Sequence, residues 1–238
     1  MSTPSKYQHK LGLALFAVGV VIGLLLTVGL LWPDLEATFY NFQKIGEQPL
    51  TVTCPVFLTQ DETGVVSIKA ANNAGKTIEP LVRITISNRG LFRFEEARLT
   101  IPAGETGTME WTVSENDVDL RFFVLAKVFI LPEYQFESRE GTCGTMLLPF
   151  SGIGGMQVFL IGSAVSLLGL VGGLLLWPAG IKPLLGRRLE TLRAMQAITL
   201  AIAAGIVFGY MGNWAVAGLA LIVAVLLLAA VLYLAASR

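Results

Sequence analysis

Histidine is nearly absent from this chain of 238 residues: His9 stands alone, and the only cysteines are Cys54 and Cys143. One histidine near the N-terminus excludes His-based catalytic triads and His-containing zinc sites, and two cysteines are too few for a cysteine-only metal centre. Charge is scarce as well, at 14% of residues against 54% hydrophobic, and the mean hydropathy is +0.67. That balance excludes a disordered chain, a collagen-like or coiled-coil fibre and a nucleic-acid-binding domain. No phosphate-binding Gly-rich loop or dinucleotide fingerprint follows a strand, and the Gly-Ile-Gly-Gly of 152–155 simply leads into an apolar run. No cofactor is expected.

What the chain has instead is length without charge. Residues 11–32 carry no ionisable side chain, and at about 1.5 Å per helical residue they reach roughly 33 Å, enough to cross a bilayer. Similar runs occupy 153–177, 195–211 and 215–236, so four transmembrane helices are expected, with a tail at 1–10, a basic loop at 178–194, a turn at 212–214 and a short end at 237–238. The first run follows Lys6 and Lys10 like a secretory leader, but it is too long for one and exits through Trp32-Pro33-Asp34, which reads as an uncleaved anchor. A lipoprotein signal is excluded by Thr53 before Cys54.

Basic residues flanking spans are retained in the cytoplasm. Lys6 and Lys10 in the tail, and Lys182, Arg187, Arg188 and Arg193 in the loop, therefore predict an N-in, C-in topology in the cytoplasmic membrane, with 33–152 extracytoplasmic. Segment 33–152 holds 16 acidic and 10 basic residues and the remainder 1 and 7, so the zero net charge is the sum of two opposite sides.

Within 33–152 the hydropathy alternates. Leu50, Val52, Cys54, Val56 and Leu58 are expected on one strand, followed by Val66/Ile68/Ala70, Val82/Ile84/Ile86, Phe92/Phe94, Leu99/Ile101, Met109/Trp111/Val113 and Phe122/Val124/Ala126/Val128/Ile130. About seven strands with turn residues between them predict an antiparallel β-sandwich between helices 1 and 2. The stretch 65–113, with Asn72 ending one strand, a long strand over 78–87 and the Pro-Ala-Gly-Glu turn at 102–105, resembles the immunoglobulin-like domains of bacterial surface proteins, including the cell-adhesion-related type. The resemblance covers about a fifth of the chain and implies an interaction module without a catalytic site. Trp111 lies far beyond Cys54, unlike antibody-type domains, and the Gly-Leu-Trp and paired cysteines of claudin-like four-span proteins are absent. An oxidising compartment makes Cys54 and Cys143 disulfide partners that tie the two ends of the domain, worth about 4 kcal/mol in the chain-entropy estimate.

Glu115, Asp117 and Asp119 cluster in a turn but lack the Gly and distal Glu of a helix-loop-helix calcium loop. The four runs contain no Asp, Glu, Lys, Arg or His, which argues against ion or proton relays. They do contain small residues at four-residue spacing: Gly19 and Gly23 in the first, Gly162, Ser166, Gly169 and Gly173 in the second, and Ala201, Gly205 and Gly209 in the third. Such stripes pack helices within one chain or between subunits. The resulting expectation is a non-enzymatic accessory or scaffold subunit, partnered by the lipid bilayer and by other membrane or extracytoplasmic proteins. A small channel or transporter component is the alternative.

Overall fold

A computed structural model describes residues 6–40, 46–89, 91–133, 136–179 and 186–236. Among the described residues four helices are long and apolar enough to cross a membrane: α1 (Lys6–Phe39), α2 (Gly155–Ala179), α3 (Arg187–Tyr210) and α4 (Trp214–Ala236). The strands follow α1, and α2 to α4 follow the strands. By packing, the chain divides into two units, Met1–Leu31 with Phe159–Arg238, and Trp32–Val158.

In the helical unit each helix buries a stripe. Met195, Ile198, Ile202 and Ile206 make the buried stripe of α3 at helical spacing, while Leu200 and Val207 point outward. Gly212, at φ 72°, turns α3 into α4; its amide donates to the Gly209 carbonyl and Asn213 donates to that of Phe208. Here α3 begins eight residues earlier than the apolar run, at Arg187 instead of Met195. Leu189 and Leu192 continue the helical period through the basic segment, and nothing in 187–194 breaks a helix.

Among the described residues the other unit holds ten strands in two sheets. The larger runs β1 (Gln48–Pro49), β10 (Arg139–Leu148), β9 (Phe123–Ile130), β5 (Leu81–Asn88), β6 (Leu91–Arg98), with β3 (Phe57–Thr59) also on β10 and β8 (Val118–Asp119) also on β9. The smaller is β2 (Val52–Thr53), β4 (Gly64–Ala71), β7 (Thr106–Val113). Val66, Ile68 and Trp111 face Val82, Ile84, Ile86, Val124, Ala126 and Val128 across one shared core.

Several expectations need correction. The larger sheet is mixed: β1 and β3 both run parallel to β10. The single strand expected over 50–58 is two fragments, β2 and β3, that serve different sheets, because Pro55 between them lacks the N–H a continuous ladder needs. Leu99 and Ile101 are buried, but Ile101 makes only an isolated bridge to Ile78. Phe92 and Phe94 do not face the core. The core residues Ile84 and Ile86 lie opposite Glu95 and Arg93, which puts the two phenylalanines on the outer face.

The first helix also outlasts its apolar run. Pro33 sits inside α1 and forfeits one backbone hydrogen bond. The turns beyond it are held by local bonds and by the sheet: Trp32 Nε1 donates to Glu36 (2.8 Å), Thr38 Oγ1 to the Asp34 carbonyl (2.8 Å), and Ala37 is fully buried against Phe123 and Leu125. This explains why Phe123, Val124, Leu125 and Ala126 are all buried although neighbours on a strand point to opposite faces. One face packs on the smaller sheet and the other lies under the end of α1.

Asn72 closes the Pro-Ala-Gly-Glu turn. Fully buried, it donates through Nδ2 to the carbonyls of Lys76 (2.9 Å), Ile101 (2.9 Å) and Pro102 (3.0 Å), and its Oδ1 accepts from the Ala74 amide (2.9 Å). Asn72→Ala is expected to destabilise this unit by about 3 kcal/mol, since several buried groups lose their partner at once. Asn72→Asp, which sets an acceptor against three carbonyls, should be no better. Thermal unfolding in detergent, with hydrogen exchange over 72–105, measures both.

Candidate functional site

Polar groups that join separate elements of the strand-rich unit include three clusters. At the first, Arg93 on β6 reaches from its Nε to Asp117 Oδ1 (3.1 Å) and from Nη2 to the Thr112 carbonyl of β7 (3.0 Å), and it also pairs with Glu95. It thus bridges the open edges of the two sheets. Asp117 is buried, and its second oxygen accepts the Ser114 amide (2.9 Å) in a capping box.

At the second, Lys127 and Glu140 form a buried ion pair (3.1 Å) on the outer face of β9 and β10, and Glu140 accepts the Gly46 amide as well (2.9 Å). Thr38, Glu47 and Thr142 join them around a depression of about 270 Å³.

The third lies where the β5–β6 and β8–β9 turns meet. Arg89 donates its amide to the Val118 carbonyl (3.2 Å) and ties the two turns together. Arg89, Leu120 and Arg121 have φ of 39°, 49° and 76°, left-handed values that favour glycine. With Glu115, Val118 and Asp119 they line a depression of about 410 Å³. Tyr40, just beyond α1, donates its hydroxyl to Asp119 and sets its ring edge-on to Phe92 at 5.8 Å.

The carboxylates of 115–119 do not converge on a common point: Asp117 turns inward to Arg93, and Asp119 accepts Tyr40 and the Leu120 amide. Among the described residues no group of three acidic, histidine or cysteine side chains is placed to hold a metal ion.

Cys54 and Cys143 are joined in a disulfide, with Cα atoms 5.8 Å apart. The small-residue stripes lie at helix contacts inside the helical unit. A Cβ on Gly19 would stand 2.7 Å from the Leu170 amide, one on Gly169 2.8 Å from the Leu15 carbonyl, and one on Gly173 2.6 Å from Phe16. Ser166, fully buried, donates to the Gly19 carbonyl (2.8 Å). Gly23 approaches Ser166 and Ile202, Gly162 faces Leu26, Gly205 faces Thr27 and Gly209 faces Leu30, whereas Ala201 is only partly buried. Among the basic residues, Lys10, Arg188 and Arg193 are exposed; Lys6 and Arg187 are placed by their backbone alone; Lys182 lies outside the described residues.

Arg93 and the Lys127–Glu140 pair are not singled out by the sequence. The Tyr40–Asp119 contact spans 79 residues, and no local pattern announces it.

No protein family and no curated protein matches the chain. Among solved structures, the CARDB domain of the PF1109 protein from Pyrococcus furiosus, described in complex with di-metal ions, aligns with 46% of this chain and 100% of its own at 9% identity and TM-score 0.33. The C-terminal domain of wzt aligns with 51% of this chain and 91% of its own at 14% identity and TM-score 0.31. Superoxide reductase from Ignicoccus hospitalis aligns with 42% and 81% at 8% identity and TM-score 0.30. At these scores the likenesses carry no inference about function.

Two outcomes follow. Burial, followed by the hydrogen bond to Asp119 and its charge, pushes the Tyr40 hydroxyl up to about 12, so its contribution to stability is full below about 10 and is lost as pH rises from there through about 12. Tyrosinate absorbance should show a late-titrating phenol that Tyr40→Phe removes. Gly19→Leu should lower the thermal stability of the helical unit by about 2 kcal/mol, because backbone atoms cannot yield to it. Gly172→Leu, whose Cβ would meet only Leu15 at 3.9 Å, should be tolerated in the same detergent unfolding assay.

Proposed function

We propose that this chain is a non-enzymatic multi-pass membrane protein, an accessory or scaffold subunit whose immunoglobulin-like β-sandwich engages a protein partner on the outer side of the cytoplasmic membrane. The observation that carries this reading is where the domain's polar side chains are used. Arg93 with Asp117, Lys127 with Glu140, Tyr40 with Asp119 and Asn72 with its three carbonyls each hold one structural element to another instead of converging on a reacting atom. A substrate-transforming site needs a nucleophile, a base and an oxyanion or metal partner at one point, whereas a docking module needs a stiff surface. The disulfide and these bridges supply stiffness.

In this reading α1 to α4 span the bilayer, the sandwich is an insertion between the first two spans, and Lys6, Lys10, Lys182, Arg187, Arg188 and Arg193 hold both termini and the α2–α3 loop in the cytoplasm. The predominantly acidic segment 33–152 then faces outward. Absence of Asp, Glu, Lys, Arg and His from the apolar runs supports a scaffold over a transporter component.

Gentle detergent extraction from the native membrane should bring down a stoichiometric protein partner, and that partner should be lost when the sandwich is deleted. Ion or solute flux from the purified chain in vesicles, with no partner recovered, would overturn the proposal in favour of a transport component.

A further inference from the structure

We infer that the end of the larger sheet where the β5–β6 and β8–β9 turns meet is a lipid-facing rim, which inserts aromatic and aliphatic side chains among phospholipid headgroups and binds their phosphates through Arg89 and Arg121. This rests on the chain being a membrane protein, as proposed above, but assigns a particular face to the bilayer.

The fold leaves a concentrated set of large apolar side chains open at this end: Leu91 (73% exposed), Phe94 (62%), Leu120 (45%) and Phe122 (47%), with Phe92 beside them. They are not scattered. The other half of β6 is Glu95, Glu96, Ala97 and Arg98, so the run of large apolar side chains stops partway along one strand. Phe92 and Phe94 sit on the face away from the core, with ring centres 6.0 Å apart, so the core does not explain them. Exposed apolar side chains flanked by arginine are the composition of a membrane interface, where aromatic bodies lie at the headgroups and cations meet phosphate.

Charge complements this. Arg89 and Arg121 are both exposed and border the depression of about 410 Å³ between the turns. Of the carboxylates there, Asp119 is occupied by Tyr40 and the Leu120 amide, which leaves Glu115 as the opposing charge. Both arginines, and Leu120, keep left-handed backbones without being glycine. Presenting a cation or an apolar side chain at a turn that glycine would fill more easily suits a surface that uses those side chains.

Chain continuity names the occupant. Trp32 closes the first apolar run, and Tyr40, which touches Phe92 and Asp119, follows it by eight residues along or just past one helix, about 12 Å at 1.5 Å per residue. The headgroup layer on each side of a bilayer is roughly 5–8 Å deep. A rim fastened to Tyr40 and extended by the length of a phenylalanine or arginine side chain comes within reach of that layer. A soluble partner would not have to be so near the span.

The test uses the full chain reconstituted in vesicles of phosphatidylcholine and phosphatidylglycerol, with single spin labels at Phe94→Cys or Leu120→Cys, the native cysteines being held as a disulfide. Val65→Cys on β4, also exposed, is the aqueous reference, and Leu168→Cys on α2 is the hydrocarbon reference. Both rim labels should collide with oxygen several-fold more, and with a water-soluble nickel chelate several-fold less, than the Val65 label. Arg89→Gln with Arg121→Gln should reduce that difference in anionic vesicles more than in pure phosphatidylcholine. Rim labels as open to nickel as Val65, while Leu168 reads hydrocarbon, would overturn the rim and leave the membrane reading intact. A Leu168 label that reads as aqueous would instead bring down both. Rim labels shielded from both reagents, with dipolar broadening between chains, would mean that a second copy covers this face, and the lipid assignment would fall.

Discussion

Strand β10 is the element on which the strand-rich unit closes. It pairs antiparallel with β9 along its length and accepts β1 and β3 in parallel on its other side, so the chain entering the unit and the chain leaving it meet there. Two glycines make this possible. A side chain on Gly141 would collide with the Leu50 carbonyl, and one on Gly144 with the Pro33 carbonyl. Because Gly144 is bare, its amide can donate to Asp34 Oδ1 (3.1 Å), which fixes the end of α1 to the outer face of the sheet. Between the glycines, Cys143 turns to the inner face and binds Cys54, so the strand is held on one face covalently and on the other by a helix.

That arrangement accounts for the composition of β9. A sheet with one face in water alternates apolar and polar, but β9 is covered by the smaller sheet on one side and by Ala37 and Tyr40 on the other, and reads as a nearly continuous apolar run. Its one charge, Lys127, is buried on the α1 side and compensated by Glu140 across the ladder. An unpaired charge there would cost several kcal/mol, so the pair is best understood as a joint obligation of two neighbouring strands more than as a source of stability.

Much of this was legible in the sequence where burial followed a simple period. The helices announced themselves by length, and the inward faces Val66/Ile68/Ala70, Val82/Ile84/Ile86 and Val124 through Ile130 by alternation. Legibility failed where backbone partners or remote segments decide. Residues 50–58 alternate properly, yet Pro55 and two destinations break them up. Pro33 looked like a helix end because the sequence does not reveal the sheet that supports the turns after it. Phe92 and Phe94 alternate like core residues, but at this edge the inward positions belong to Arg93 and Glu95, whose charges cross to the other sheet or to solvent. The candidate rim was therefore hidden: its apolar members resembled core, and Tyr40, which marks its place relative to the first helix, is separated from Asp119 by 79 residues.

The small-residue stripe of α1 answers a different question from the one its spacing poses. Four-residue spacing of small side chains says that a backbone is approached closely, but not by how many neighbours. Along α1 the partner changes with height. Gly12 and Gly19 lie against α2, Gly23 touches both Ser166 of α2 and Ile202 of α3, and Thr27 and Leu30 meet Gly205 and Gly209 of α3. Thr27 can fill that last position because its hydroxyl is satisfied by the Gly23 carbonyl (2.8 Å) one turn back. Among the described residues this stripe is committed to two neighbours of the same chain. Association with another membrane subunit would then fall to side chains the fold leaves outside, such as Leu219, Leu226 and Tyr233 of α4.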